Sequence, residues 1–357
     1  MEETTRQIWK KRLSDLETLP PSSMPDAGVA AIPEQNYSYN TAKAPDSGRV
    51  RQIWAVGGGK GGVGKSLVAS CLAISLARFG HKVVAIDLDL GGANLHTTLG
   101  VELPKQTLSD FFAQRVAKLE DCVTFTGIPN LFLISGAQDS VGITNIRPSQ
   151  KSSFLDEMRR LDTDYVLLDL GAGTYFNTVD FFLFSDIGLV TVLPEPTSIE
   201  NSYRFIKTSY YRFLLSSPNL AEVRPLIEMA MDPKNPLKIK SPADLLKEIS
   251  KTNPSAGMEL KKQIERFRPL LIVNQARTQS DIEIGHSIRT VCKKYFGIDM
   301  EYLGYLDYDS YVWQAVRKKR PLMLEFPNSR LVSAIGQMTQ TILKKFGSQK
   351  FVSPAKN

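Results

Sequence analysis

Ten residues, Gly57-Gly58-Gly59-Lys60-Gly61-Gly62-Val63-Gly64-Lys65-Ser66, constrain this chain more than any other stretch. An apolar run, Ile53-Trp54-Ala55-Val56, precedes them, and Val68, Leu72, Leu76 and Phe79 follow at helical spacing. Strand, glycine turn and helix form the setting that a phosphate-binding loop needs. Glycine admits positive φ and puts no side chain between backbone and ligand, so successive N–H groups converge on phosphate oxygens, and the helix start adds its dipole. Gly59 to Ser66 fits G-x-x-x-x-G-K-[ST], in which the lysine reaches the β- and γ-phosphates and the hydroxyl coordinates Mg²⁺. ATP and Mg²⁺ are therefore the expected ligands, with contacts from Gly59, Lys60, Gly61, Gly62, Val63, Gly64, Lys65, Ser66 and Leu67.

Two later segments carry carboxylates suited to that ligand. Lys82 to Leu88 is an apolar run leading into Asp87-Leu88-Asp89-Leu90-Gly91-Gly92-Ala93-Asn94-Leu95. Two residues apart on a strand, Asp87 and Asp89 project to the same side, at the carboxyl edge where open α/β sheets bind ligands. One is expected to support the Mg²⁺ shell and the other to orient the attacking water, since phosphoryl transfer relies on positioning and charge stabilisation. Tyr165-Val166-Leu167-Leu168-Asp169-Leu170-Gly171-Ala172-Gly173 repeats the design. Asp169 is expected to hold Mg²⁺ through water, and Gly171 to rearrange when a γ-phosphate arrives.

From Gln52 onward strands and helices alternate, which predicts an α/β fold with a doubly wound, mostly parallel sheet. Residues 51–347 are expected to form the ATPase domain. Residues 1–50 read as an extension: 1–19 could form a charged helix with Ile8, Trp9, Leu13 and Leu16 on one side or a disordered tail, and 20–47 has a linker composition. Residues 218–267, rich in proline and lysine, read as a surface insertion, and 348–357 as a short tail. A helix from Ile199 to Phe213 is expected to be capped by Thr197 or Ser198, and Asp309 to begin a helix over Tyr311–Lys319. The net charge of +7 permits nucleic acid or anionic lipid as a partner without requiring either. No run of some eighteen apolar residues predicts a spanning helix, and no signal core opens the chain, which places it in the cytoplasm by expectation. The three cysteines, Cys71, Cys122 and Cys292, are far apart and form no metal pair.

Lys60 makes the loop read Lys-Gly-Gly-Val-Gly-Lys-Ser, which resembles the deviant Walker A motif of the MinD/ParA ATPases. The resemblance extends from about Gln52 to Gln340 apart from the insertion. It is strongest to the FlhG (FleN) branch of flagellar regulators through the Asp87–Leu95 segment, Leu168-Asp169-Leu170-Gly171-Ala172-Gly173-Thr174 and Pro194-Glu195-Pro196-Thr197-Ser198-Ile199-Glu200. It implies catalytic roles for Lys60, Lys65 and Asp89: Lys60 would reach the nucleotide of a second copy in an ATP-bound homodimer, and Asp89 would position water. It further implies Mg²⁺ held by Ser66, Asp87 and Asp169, and adenine read by Asn274. The family's usual Pro-x-Asp after the last strand is replaced by Asp307 and Asp309. Its membrane-binding members carry a further amphipathic helix at the carboxyl end, which is missing or a stub here, so membrane contact is expected to be weak or absent, with a peripheral position at the inner membrane or cell pole as the alternative. Flagellar assembly or regulatory proteins are the implied partners, and turnover is expected to be slow without one. Two other readings compete: a ParA-like positioning ATPase that binds DNA, and a non-hydrolysing scaffold. An iron-sulfur carrier of the related type would need a close cysteine pair, and the chain has none.

Overall fold

The computed structural model describes residues 52–90, 92–136, 146–232, 234–239 and 241–346. The expectations for 1–50, 348–357 and Gly91 lie outside the described residues.

Eight strands form one sheet: β1 (Gln52–Gly57), β2 (Val83–Leu88), β3 (Thr124–Phe125), β4 (Leu131–Ile134), β5 (Tyr165–Leu170), β6 (Ile187–Val192), β7 (Leu270–Ala276) and β8 (Glu301–Asp307). Their order is β3-β4-β2-β5-β1-β6-β7-β8, and every pairing is parallel except β3 with β4. The two-residue β3 is an edge strand that no periodicity announces.

Thirteen α-helices are described: α1 (Lys65–Arg78), α2 (Leu95–Thr98), α3 (Leu108–Phe112), α4 (Pro148–Arg160), α5 (Phe176–Phe184), α6 (Pro196–Leu215), α7 (Arg224–Met231), α8 (Pro242–Thr252), α9 (Pro254–Arg266), α10 (Gln279–Val291), α11 (Ser310–Arg317), α12 (Leu322–Glu325) and α13 (Arg330–Phe346). Strand residues alternate between two apolar layers, as a sheet covered on both faces demands. Trp54, Val56, Val83, Ala85 and Leu167 join α1 and α13 on one face. Ile53, Ala55, Val84, Ile86 and Leu168 join α4, α5, α6 and α10 on the other.

The 218–267 segment shares the second layer. Leu220, Ile227, Leu245, Ile249, Leu260 and Ile264 are buried there, while Lys234, Lys238, Lys247, Lys251, Lys261 and Lys262 face solvent. Ser241 and Asn253 accept hydrogen bonds from the Asp244 and Ala256 amides and so cap α8 and α9.

The start of α6 differs from expectation. The helix begins at Pro196 with Glu195 at the cap position, because proline's fixed φ and missing N–H suit a first turn. Ser198 sits inside the helix, where its Oγ accepts from Leu193 N at 3.0 Å and ties helix to strand. Asp309 does cap α11, accepting from Tyr311 N at 2.8 Å.

Candidate nucleotide site

β1 lies between β5, beyond which come β2 and β4, and β6, beyond which come β7 and β8, so the order grows from it in both directions. A crevice at such a reversal is where open α/β sheets bind ligands. The glycine loop leaves β1 into that crevice, and Gly62 and Gly64 take φ of 78° and 90°, the left-handed region that favours glycine. A Cβ added at Gly61 or Gly62 would meet nothing within 4 Å, so the loop borders open space there. Gly59 is tightly enclosed: a Cβ there would lie 2.0 Å from the Asn201 carbonyl oxygen on α6.

Lys65 opens α1 and is buried. Burial lowers its pKa, while the Asp169 and Asp89 carboxylates oppose that shift. Asp169 stands in register with Asp87 on β2 and with Val56 on β1, one residue before the glycine loop. The parallel sheet thus brings carboxylates from two separated segments beside the start of α1.

The two strand carboxylates differ in what they hold. Asp87 Oδ2 accepts from Leu95 N at 2.9 Å and Oδ1 from Asp89 N at 3.1 Å, so this side chain shapes the loop between β2 and α2. Burial raises its carboxyl to about 6 against the pull of those amides. Neither Asp169 oxygen has a hydrogen-bond partner among the described residues. Burial and the neighbouring Asp87 push its carboxyl well above the usual range, and Ser66 and Lys65 act in the opposite direction.

A buried carboxylate without a donor is costly unless a cation or proton accompanies it. Asp169 beside Ser66, with a glycine cleft adjoining, therefore suits Mg²⁺ held with phosphate oxygens. That ion is ordinarily bound by one or two carboxylates plus the substrate's phosphates. Each Asp87 oxygen accepts one amide and keeps a further lone pair, whereas both Asp169 oxygens are without a donor among the described residues.

Asp89 reaches the third loop. A Cβ on Gly171 would lie 3.4 Å from Asp89 Oδ1, and Gly173 N donates to Gly58 O at 3.3 Å. The loops after β2 and β5 thereby meet each other and the phosphate loop.

Asn274 is buried under the loop. Its Nδ2 donates to Val63 O at 2.8 Å, and its Oδ1 accepts from Gln275 N at 2.9 Å. Gln275 has φ of 59°, and the β7–β8 register shifts at this point; the bulge turns Asn274 inward, as bulges beside sites do.

Lys60 stands apart from the cradle. Its Nζ donates to Thr197 Oγ1 at 3.1 Å and lies 3.4 Å from Glu195 Oε2, with 38% of the side chain exposed. Sequence reasoning did not foresee these two partners, nor Asn201 against Gly59. The Pro194-Glu195-Pro196-Thr197 run marked the region without showing what it faces.

A family model described as "ParA: NUBPL iron-transfer P-loop NTPase" matches residues 49–194, which include the glycine loop and all three aspartates. The chain is 27% identical to the antiactivator FleN of Pseudomonas aeruginosa over 82% of its own length and 86% of that protein. The matched region is similar to the ParA/MinD-type P-loop NTPases. The chain is also 34% identical to the flagellum site-determining protein YlxH of Helicobacter pylori, over 50% of its length and 58% of the relative's. Among solved structures, MinD of Pyrococcus horikoshii OT3 complexed with Mg-ADP superposes with a TM-score of 0.57 at 22% identity, covering 84% of this chain and 99% of that one. A ParA family ATPase from Chlorobium tepidum gives 0.56 at 18% identity, covering 82% and 98%. These two likenesses establish the ParA/MinD fold as the fold of this chain.

Proposed function

We propose that this chain is an ATP-hydrolysing switch that dimerises on ATP–Mg²⁺ and controls flagellar number or placement through partner proteins. The observation that carries the reading is the division of labour between the two loop lysines. Lys65 is buried in its own cradle, whereas Lys60 is partly exposed and held by Glu195 and Thr197. Similarity to FleN along most of both chains, and to YlxH, supports the flagellar part.

Lys65 would neutralise the phosphates, Ser66 and Asp169 would hold Mg²⁺, Asp89 would orient water, and Asn274 would support the base side of the nucleotide. When bound, Mg²⁺ supplies charge neutralisation at the phosphate oxygens. A dimer forms on ATP only if ATP makes contacts there that it lacks in the monomer. Lys60 leaving Glu195 and Thr197 for the other copy's nucleotide would be such a contact.

The test combines nucleotide titration with size measurement. Lys65→Ala is expected to abolish ATP binding, Lys60→Ala to bind ATP yet remain monomeric, and Asp89→Ala to bind ATP and accumulate as a dimer without turnover. Unchanged ATP affinity in Lys65→Ala would remove the loop assignment. A monomeric Asp89→Ala protein with bound ATP would remove the switch.

A further inference from the structure

We propose that residues 218–267 open from α6 as one unit while the sheet stays folded, on a joint packed by aromatic rings whose buried polar groups are left unpaired. The chain enters and leaves this segment at one place. It enters after α6 through Ser217 and the 3₁₀ turn Pro218–Val223, and it returns to β7 through Phe267. The ring centre of Phe267 lies 5.6 Å from that of Phe213 in the last turn of α6. Two adjoining ends give the segment a single pivot. Inside it, Asn219 donates to Glu259 Oε1 at 3.4 Å and Asn253 to Glu222 Oε2 at 3.0 Å, so the entry turn is tied to α9 and moves with it.

The joint itself is closed by rings. Tyr210 of α6 meets Phe267 edge to face, with ring centres 5.8 Å apart. The Tyr210 hydroxyl is fully buried and has no hydrogen-bond partner among the described residues. Gln263 Oε1, one turn before Phe267 on α9, is buried and equally unpaired there, as is Ser217 Oγ at the pivot. A donor and an acceptor thus lie on either side of one seam without bonding. Lys207, three residues before Tyr210 and so on the same side of α6, adds a partly buried amine whose pKa burial lowers with no carboxylate opposing the shift.

Buried polar groups without partners cost free energy that water would restore to them. Ring and aliphatic contacts therefore hold the segment shut against groups that gain from opening, whereas the parallel strands are held by their ladders as well. Sub-global opening of a contiguous unit is the expected result. Opening would bare Tyr210, Phe213 and Phe267, all buried in the closed form, so the chain carries an aromatic surface that only the open form presents. The joint lies within one copy and stands whether or not ATP drives dimerisation.

Hydrogen–deuterium exchange of the full chain, read by mass spectrometry over a series of low urea concentrations, tests the joint. Peptides from α8 and α9 are expected to exchange together, faster and with a shallower urea dependence than peptides from β1, β5 and β6. Tyr210→Phe removes an unpaired hydroxyl and keeps the ring, and should slow exchange of α8 and α9 about tenfold while β1 is unchanged. Phe267→Leu removes the ring contacts and should speed α8 and α9 together, again with β1 unchanged. The proposal is overturned if α8 and α9 exchange at the rate and slope of the strands, or independently of each other. It is also overturned if Tyr210→Phe speeds their exchange or leaves it as it was, or if Phe267→Leu speeds β1 to the same extent.

Discussion

Without its amide, residue 274 would leave the Val63 carbonyl facing no donor. Asn274→Ala should therefore cost about 1–3 kcal/mol, read by denaturant unfolding, and should lower ATP affinity by loosening the loop. Two glycines of that loop separate structural from ligand constraints. Gly59→Ala drives a Cβ into the α6 backbone and should lower the melting temperature. Gly61→Ala meets nothing within 4 Å and should leave melting unchanged while weakening ATP binding, because the added methyl group narrows the phosphate cleft. Equal affinity in Gly61→Ala and the parent would show that the cleft does not hold phosphate. The glycines, Lys65, Ser66 and Asp169 were legible because their chemistry depends on short-range spacing. Asn274 with Val63 and Gly59 with Asn201 were not, since each pair is separated by well over a hundred residues and depends on sheet order.

Among the elements, α3 shows a start set by local chemistry. Asp110 Oδ2 accepts from Thr107 N at 2.9 Å, and Arg115 pairs with Oδ1 at 2.7 Å. Burial alone would raise the Asp110 carboxyl, but the Thr107 amide and Arg115 outweigh it and hold the pKa below its ordinary 3.8. A depressed carboxyl pKa gives stability that is present above the unfolded value and lost as pH falls through the folded one. Asp110→Asn should thus cost about 1 kcal/mol at neutral pH, and the difference from the parent should close in unfolding measurements below pH 3.8. The main strands were legible from apolar runs ending in Asp or Asn. The α6 start was misplaced because Ser198 looks like a cap in sequence yet is drawn inward by Leu193. Residues 218–267 looked detachable because proline and lysine dominate their composition, although their leucines and isoleucines lie at core spacing.

At the scale of the whole molecule, the last described helix completes the layer around the first strand. Leu331, Val332, Ile335, Met338 and Ile342 of α13 share the apolar layer of Trp54, and Gln52 Nε2 donates to Phe346 O at 2.7 Å. A chain truncated after Ser329 should lose cooperative unfolding by calorimetry; retention of the parent's transition would show that the layer closes without α13. Sheet order, which sequence did not reveal beyond a mostly parallel arrangement, is what brings β1, β2 and β5 side by side and so makes one site from distant motifs. The tight seat of Gly59 against Asn201 has a mechanical result. Twenty residues of α6 form a rod about 30 Å long, with one end pressed on the loop backbone and the other among the helices of 218–267. Since no slack separates loop from rod, a shift of the loop backbone would press on α6 and, through it, on the helices that bear the lysines.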